Sequence, residues 1–179
     1  MALALNGTSN GSLNNLSLTA NTGTVVDTSV NPFLAYDTWY LTADDTTGPQ
    51  LHQVDGWTRA TTSNITQIGS AMSESSSVWT FPSTGYWLIN WCPFFDCNGT
   101  DQIQTWMRIT TDNNVTTSDV GNLVATEHIG NAMSQYLFDV EDTSTHTFRF
   151  IAESIHSGSR LYGGALGRTS AQSMKLGET

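Results

Sequence analysis

Residues 1–31 scatter isolated apolar side chains, among them Leu3, Leu5, Leu13, Leu16 and Leu18, through a background of Asn, Thr, Ser and Gly. That spacing has no helical period and too little density for a core. It predicts an extended arm, disordered when free or ordered by lying on a partner. From Pro32 the pattern changes to short runs rich in Trp, Phe, Tyr, Ile and Val, separated by clusters of Gly, Pro, Asn and Asp. These runs predict strands at Thr38–Thr42, Gly56–Ala60, Val78–Phe81, Tyr86–Phe95, Gln102–Thr110, Leu123–Ile129, Tyr136–Val140, His146–Ile155 and Arg160–Leu166, with a last one at Ser173–Leu176. The clusters between them, such as Pro82-Ser83-Thr84-Gly85 and Thr111-Asp112-Asn113-Asn114, hold the residue types that let a chain reverse. No window of about eleven residues keeps a helical period. The chain is 179 residues long, which suits one domain over residues 32–179. The predicted class is all-β, an antiparallel sandwich, jelly roll or barrel.

The densest apolar stretch is VWTFPSTGYWLINWCPFFDC, residues 78–97. Strand alternation puts Tyr86, Leu88, Asn90 and Cys92 on one face and Trp87, Ile89 and Trp91 on the other. Both faces are largely apolar, whereas a half-exposed antiparallel strand keeps one polar face. The strand is therefore predicted to be covered twice, by the sandwich core on one side and by a second subunit on the other. A loop or the arm is the alternative cover. By contrast, Gln102–Thr110 separates Ile103, Met107 and Ile109 from Gln104, Trp106 and Arg108, and Phe148 and Phe150 share one face of their own strand.

Charge narrows the partners. The net charge is −10, and Lys175 is the single lysine, so no basic stripe exists to follow a phosphate backbone. The run Tyr86–Phe95 is interrupted by Asn90 and is too short to span a bilayer. Neither nucleic acid nor membrane is an expected partner. The start, MALALNGTSNGS, has no basic region followed by a sustained apolar one, so no secretory signal is expected.

Candidate chemistry is sparse. His52, His128, His146 and His156 are far apart, with no H-E-x-x-H spacing. There is no G-x-S-x-G elbow or Walker loop, and Gly163-Gly164-Ala165-Leu166-Gly167 lacks the strand-to-helix context of a dinucleotide site. No catalytic residue, metal ligand or cofactor is predicted, and the chain is read as non-enzymatic. Cys92 and Cys97 are too few for a disulfide framework. Extended, they would stand roughly 17 Å apart, so a bridge needs a sharp bend between them. Two unbridged core thiols are the other reading. Trp57 and Trp106 are the candidate ligand-binding aromatics, since an exposed ring stacks on a sugar face, against the plainer reading that both are partly buried packing residues.

The order of these elements resembles the C1q/TNF-like jelly rolls. In VWTFPSTGYWLINW, Phe81, Pro82, Gly85 and Tyr86 resemble the family's turn into its long central strand. IQTWMRITTDNN is similar to the next strand and its tip, SQYLFDVEDTSTHTFRF to a strand, a charged turn and the following strand, and RLYGGALGRTSAQSMKLGE to the closing strands. The likeness spans roughly residues 36–178. It departs from the family in its charged turn, Val140-Glu141-Asp142-Thr143, and in its polar ending. No collagen-like repeat precedes the domain, and the Thr/Ser/Asn-rich style is more similar to C1q-like domains of tailed-phage structural proteins, marine phages in particular.

The resemblance implies a homotrimer packed by its inner sheets, with Tyr86, Trp87, Leu88, Trp91, Phe148 and Phe150 divided between core and trimer interface. It also raises calcium as the one ion to consider, on Asp44-Asp45 or on Asp139, Glu141 and Asp142, against the plainer reading of solvated acidic turns. The function expected is a virion structural protein, a capsid decoration or cement protein. It would be assembled in the host cytoplasm, docked through its arm on a major capsid protein or another virion protein, and exposed on the particle surface. The alternative is a tail-fibre or head-fibre tip for host attachment, binding a host surface glycan or protein.

Overall fold

The computed structural model describes residues 34–61, 67–165 and 167–179. The predicted arm, with Leu3, Leu5, Leu13, Leu16 and Leu18, lies outside the described residues. The described residues form twelve strands: β1 (Ala35–Leu41), β2 (His52–Gln53), β3 (Trp57–Arg59), β4 (Ser73–Ser75), β5 (Val78–Thr80), β6 (Gly85–Cys92), β7 (Phe94–Thr110), β8 (Ser118–Asn131), β9 (Ser134–Val140), β10 (Thr147–Glu153), β11 (Arg160–Leu161) and β12 (Ser170–Gly177). No helix occurs among the described residues. One sheet has the order β3-β1-β12-β6-β9 and the other β11-β7-β10-β5-β4, with β2 added on β10 and β8 on β7. The chain moves between sheets from β6 to β7, from β8 to β9 and from β9 to β10, which makes a jelly roll of two antiparallel layers.

Hydrophobic alternation is what fuses the layers. Trp87, Ile89 and Trp91 of β6 are fully buried, as are Ile103 and Met107 of β7 and Phe150 of β10. Trp91 stacks on Phe150 at 4.2 Å between ring centroids, and Trp79 stacks on Phe148 at 5.6 Å. Phe81 joins Phe138 at 5.1 Å, so aromatic contacts run along the whole sandwich. Two of the indole N–H groups this would strand find acceptors: Trp91 donates to Thr105 Oγ1 at 3.1 Å and Trp87 to the Ser83 carbonyl at 3.1 Å.

Several expectations are corrected. Trp57 and Trp106 are only 9% and 6% exposed, so neither offers a ring face to a sugar. Trp57 is held inside by its neighbours, with ring centroids 5.0 Å from Trp79 and 5.7 Å from Trp91, and by donating to the Val54 carbonyl at 2.9 Å. The strand expected over Tyr86–Phe95 is split in two, and β7 continues through residues 94–101 with a bulge between Cys97 and Gln102, where Gly99 has φ of 68°. Pro93, with no N–H to donate, is the break between β6 and β7. Cys92 and Cys97 therefore stand on successive extended strands and are unbridged. The predicted strand from Arg160 shortens to Arg160–Leu161 because Gly163 then crosses the β1–β2 loop, where a Cβ would lie 1.9 Å from the Ala43 carbonyl oxygen. The asparagine tip is confirmed: Asn113 and Asn114 adopt φ of 57° and 66°, the left-handed geometry that asparagine tolerates.

Candidate functional site

The outward face of the first sheet is the feature that the core does not explain. Parity leaves Tyr86, Leu88, Asn90 and Cys92 of β6 pointing away from Trp87, Ile89 and Trp91. Register then carries each of them across neighbouring strands. Leu88 lies opposite Met174 of β12 and Leu137 of β9, and Met174 lies opposite Tyr36 of β1. Four strands thus contribute one apolar row, Tyr36–Met174–Leu88–Leu137. The next row is Thr38–Gln172–Asn90–Gln135, formed by the same pairings two residues on. A third row holds Tyr40, Ser170 and Cys92.

Among the described residues this face is uncharged except for Asp139, opposite Tyr86 on the edge strand β9. On a chain of net charge −10 that is a local exception. Leu137 is 53% exposed and Tyr86 40%, so the apolar rows end in water in the single chain. Lys175, of the opposite parity on β12, is buried, donating to Ser83 Oγ at 3.1 Å and Glu178 Oε2 at 2.7 Å. Asn90 is 8% exposed, its Nδ2 reaches Gln172 Oε1 only at 3.5 Å, and its buried Oδ1 has no hydrogen-bond partner.

Of the residues predicted for core and interface, the structure puts Trp87, Trp91, Phe148 and Phe150 in the core and turns Tyr86 and Leu88 outward. Tyr36, Tyr40, Met174, Gln172 and Leu137 were not singled out from the sequence. Their signal was present in the alternations YDTWY and SAQSM, but a partner row is visible only once registers are known.

Titratable groups are spent on structure elsewhere. His52 Nε2 bonds Asp45 Oδ2 at 2.9 Å while Nδ1 lies 3.0 Å from the Gln50 carbonyl. Both partners are acceptors, so only the imidazolium satisfies both. Burial works against that charge, but the hydrogen bond to Asp45, that to Gln50 and the charges of Asp45 and Asp55 outweigh it and raise the His52 pKa. Burial likewise pushes Asp45 up, and the hydrogen bonds from His52 and Thr47 bring it below the ordinary carboxylate range. Burial raises the thiol pKa of Cys92 and of Cys97.

The acidic pairs considered for calcium are not gathered into a ligand set. Asp44 takes Arg160 at 3.3 Å and the Gly163 N–H at 2.9 Å, and Asp142 Oδ1 accepts the Ser144 N–H at 2.8 Å. Among the described residues no group of three or more His, Cys, Asp or Glu is placed to hold a metal ion. An open cleft of ≈ 450 Å³ lies between the β1–β2 and β10–β11 loops, lined by Thr46, Pro49, Ile155, His156 and Ser159. Arg160 at its wall is occupied by Asp96 at 2.9 Å and the Tyr162 hydroxyl at 2.9 Å.

Comparison with known proteins agrees with this architecture. No family model and no curated protein sequence matches. Solved structures do. Murine APRIL at pH 5.0 is similar with a TM-score of 0.60 and 9% identity, over 79% of this chain and 98% of that one. Eiger TNF from S. frugiperda is similar with a TM-score of 0.58 and 12% identity, over 83% of this chain and 96% of that one. The fold is a C1q/TNF-like jelly roll. Identities this low carry the fold and nothing further.

Proposed function

We propose that the chain is a non-enzymatic structural module that assembles as a homotrimer through the outward face of the sheet β3-β1-β12-β6-β9. The observation that carries this reading is the uncharged face itself, with its row Tyr36–Met174–Leu88–Leu137. A strongly acidic chain repels its own copies over most of its surface, and such a face is where that repulsion is least. Burying Tyr86, Leu88 and Leu137 against equivalent residues removes the apolar area that the single chain leaves in water. The trimer is also what the likeness to C1q/TNF-like domains implies.

Within that reading we propose a virion role, as a decoration or cement protein on the capsid surface, held there by residues 1–31. The support is the leucine-spotted arm and the Thr/Ser/Asn-rich composition. The rival reading, a fibre tip that stacks host glycans on Trp57 and Trp106, loses its support because both rings are buried. Light-scattering mass in solution tests the assembly, and three copies per particle of scattering mass are expected. Imaging of the intact particle tests the role. Copies in the hundreds over the shell fit decoration, and a handful at the tail overturns it. Loss of particle binding on deleting residues 1–30 is expected if the arm is the anchor.

A further inference from the structure

Asn90 is the residue on the self-association face that a single chain does not account for. It sits at the middle of β6, between Leu88 and Cys92 on the same face, where an aliphatic side chain would suit a half-buried sheet better. Its carboxamide is more than nine-tenths buried, its Oδ1 has no partner, and its one contact, to Gln172 Oε1, is 3.5 Å long. Buried amides left this poorly bonded are rare in finished structures. The atoms that would complete it are absent from the core side, which holds Trp87, Ile89 and Trp91.

We infer that the polar row Thr38–Gln172–Asn90–Gln135 recognises the same row in a second copy of this chain, and that Asn90 thereby fixes how many copies assemble. The inference rests on the homotrimer proposed above. Rotation about a symmetry axis keeps every residue at its own height, so with β6 along the axis this row meets its equivalents while the apolar row on one side meets theirs. Amide meets amide, and leucine meets leucine. Gln172 and Gln135, half-buried and exposed in one chain, are free to turn their carboxamides toward the neighbouring Asn90. An apolar contact alone is indifferent to stoichiometry and to sliding along the strand. A ring of amides in the middle of it is satisfied in only one arrangement, as a single buried asparagine does in helical coiled coils.

The test is native mass spectrometry and light scattering on the full chain, comparing wild type with Asn90→Leu, Gln172→Leu and Asn90→Asp. Indole fluorescence of the buried Trp87 and Trp91, on the reverse of the same strand, reports whether each variant is folded. Both leucine variants are expected to give mixed stoichiometries in place of one. Asn90→Asp is expected to raise the dissociation constant at least tenfold at pH 7 and to recover below about pH 4, where the new carboxyl is neutral. Should Asn90→Asp fail to fold, the half-buried Gln172 carries the test. Leucine variants that keep a single trimeric mass with unchanged dissociation overturn the role of the amide row while leaving the trimer intact. A wild type that stays monomeric at high concentration overturns the trimer and this inference together.

Discussion

The two outward faces of the sandwich have opposite chemistry. On the sheet that contains β7 and β10, Arg108 and Arg149 stand directly opposite each other. Their repulsion is relieved by Asp119, which takes Arg108 Nε at 2.6 Å and Nη2 at 2.7 Å, and by Asn114, which takes Arg149 Nη2 at 2.6 Å. The Arg108 hydrogen bond is the main cause that lowers the Asp119 pKa, against burial. On that face the facing arginines are each paired within one chain, although the buried Trp106 Nε1 has no partner and Val124 and Ile129 are exposed. On the other sheet, tyrosine, leucine and carboxamide side chains replace charge, and Asn90 is left with an unpaired oxygen. The charged face pairs its facing arginines within one chain. The face across the sandwich carries almost no charge to repel a second copy and buries the unbonded Asn90 oxygen at its middle, and that difference is the argument for self-association.

The comparison is most strongly broken from beneath. Trp91→Ala removes the ring stacked on Phe150 and leaves the Thr105 hydroxyl without its indole partner, and is expected to cost about 3–5 kcal/mol in urea unfolding. A loss below 1 kcal/mol, on the order of an exposed substitution, would mean that the core is not organised around this contact. Leu88→Asp, three residues earlier and facing outward, is expected to leave each chain folded while weakening assembly at least tenfold, about 1.4 kcal/mol, measured by sedimentation against dilution. If mass is unchanged, the face is not the interface. Arg108→Ala on the opposite sheet is expected to cost about 0–1 kcal/mol, to lose even that in high salt, and to leave the mass of the assembly unaltered.

The smallest effect concerns pH and lies on neither face. Since folding raises the His52 pKa, the His52–Asp45 pair stabilises fully below the unfolded value of about 6.5 and loses that contribution as pH rises through the folded value. Asp45 has the opposite sign: its contribution is present above the ordinary carboxylate value and is lost as pH falls through its lowered one. Melting temperature should therefore fall on going from pH 6 to pH 9, and His52→Gln should flatten that slope. An equal slope in both proteins would rule the pair out as its source.

Much of the fold was legible because strand signals are local. Trp, Phe and Tyr alternation, bounded by Gly, Pro and Asn, located the longer strands. It did not locate β2 and β4, of two and three residues, which exist only because β10 and β5 offer edges to pair with. Nor did it show that Arg160–Leu161 would stop so soon, since the obstacle is Ala43, far away in sequence. Sequence left Trp57 and Trp106 open between ligand contact and packing, because short flanking strands give no measure of what lies above a ring.

By itself the sequence determined parity: which side chains of β6 travel together, that both groups are apolar enough to need cover, and that Asn90 interrupts one of them. Parity has no sign, however, and nothing local says which group faces the core. That was decided by the sheet on the other side, where Phe148 and Phe150 meet Trp79 and Trp91, and by registers linking Asn90 to Gln172 and Gln135. Those pairings join residues tens of positions apart, and only the closed sandwich brings them into one row.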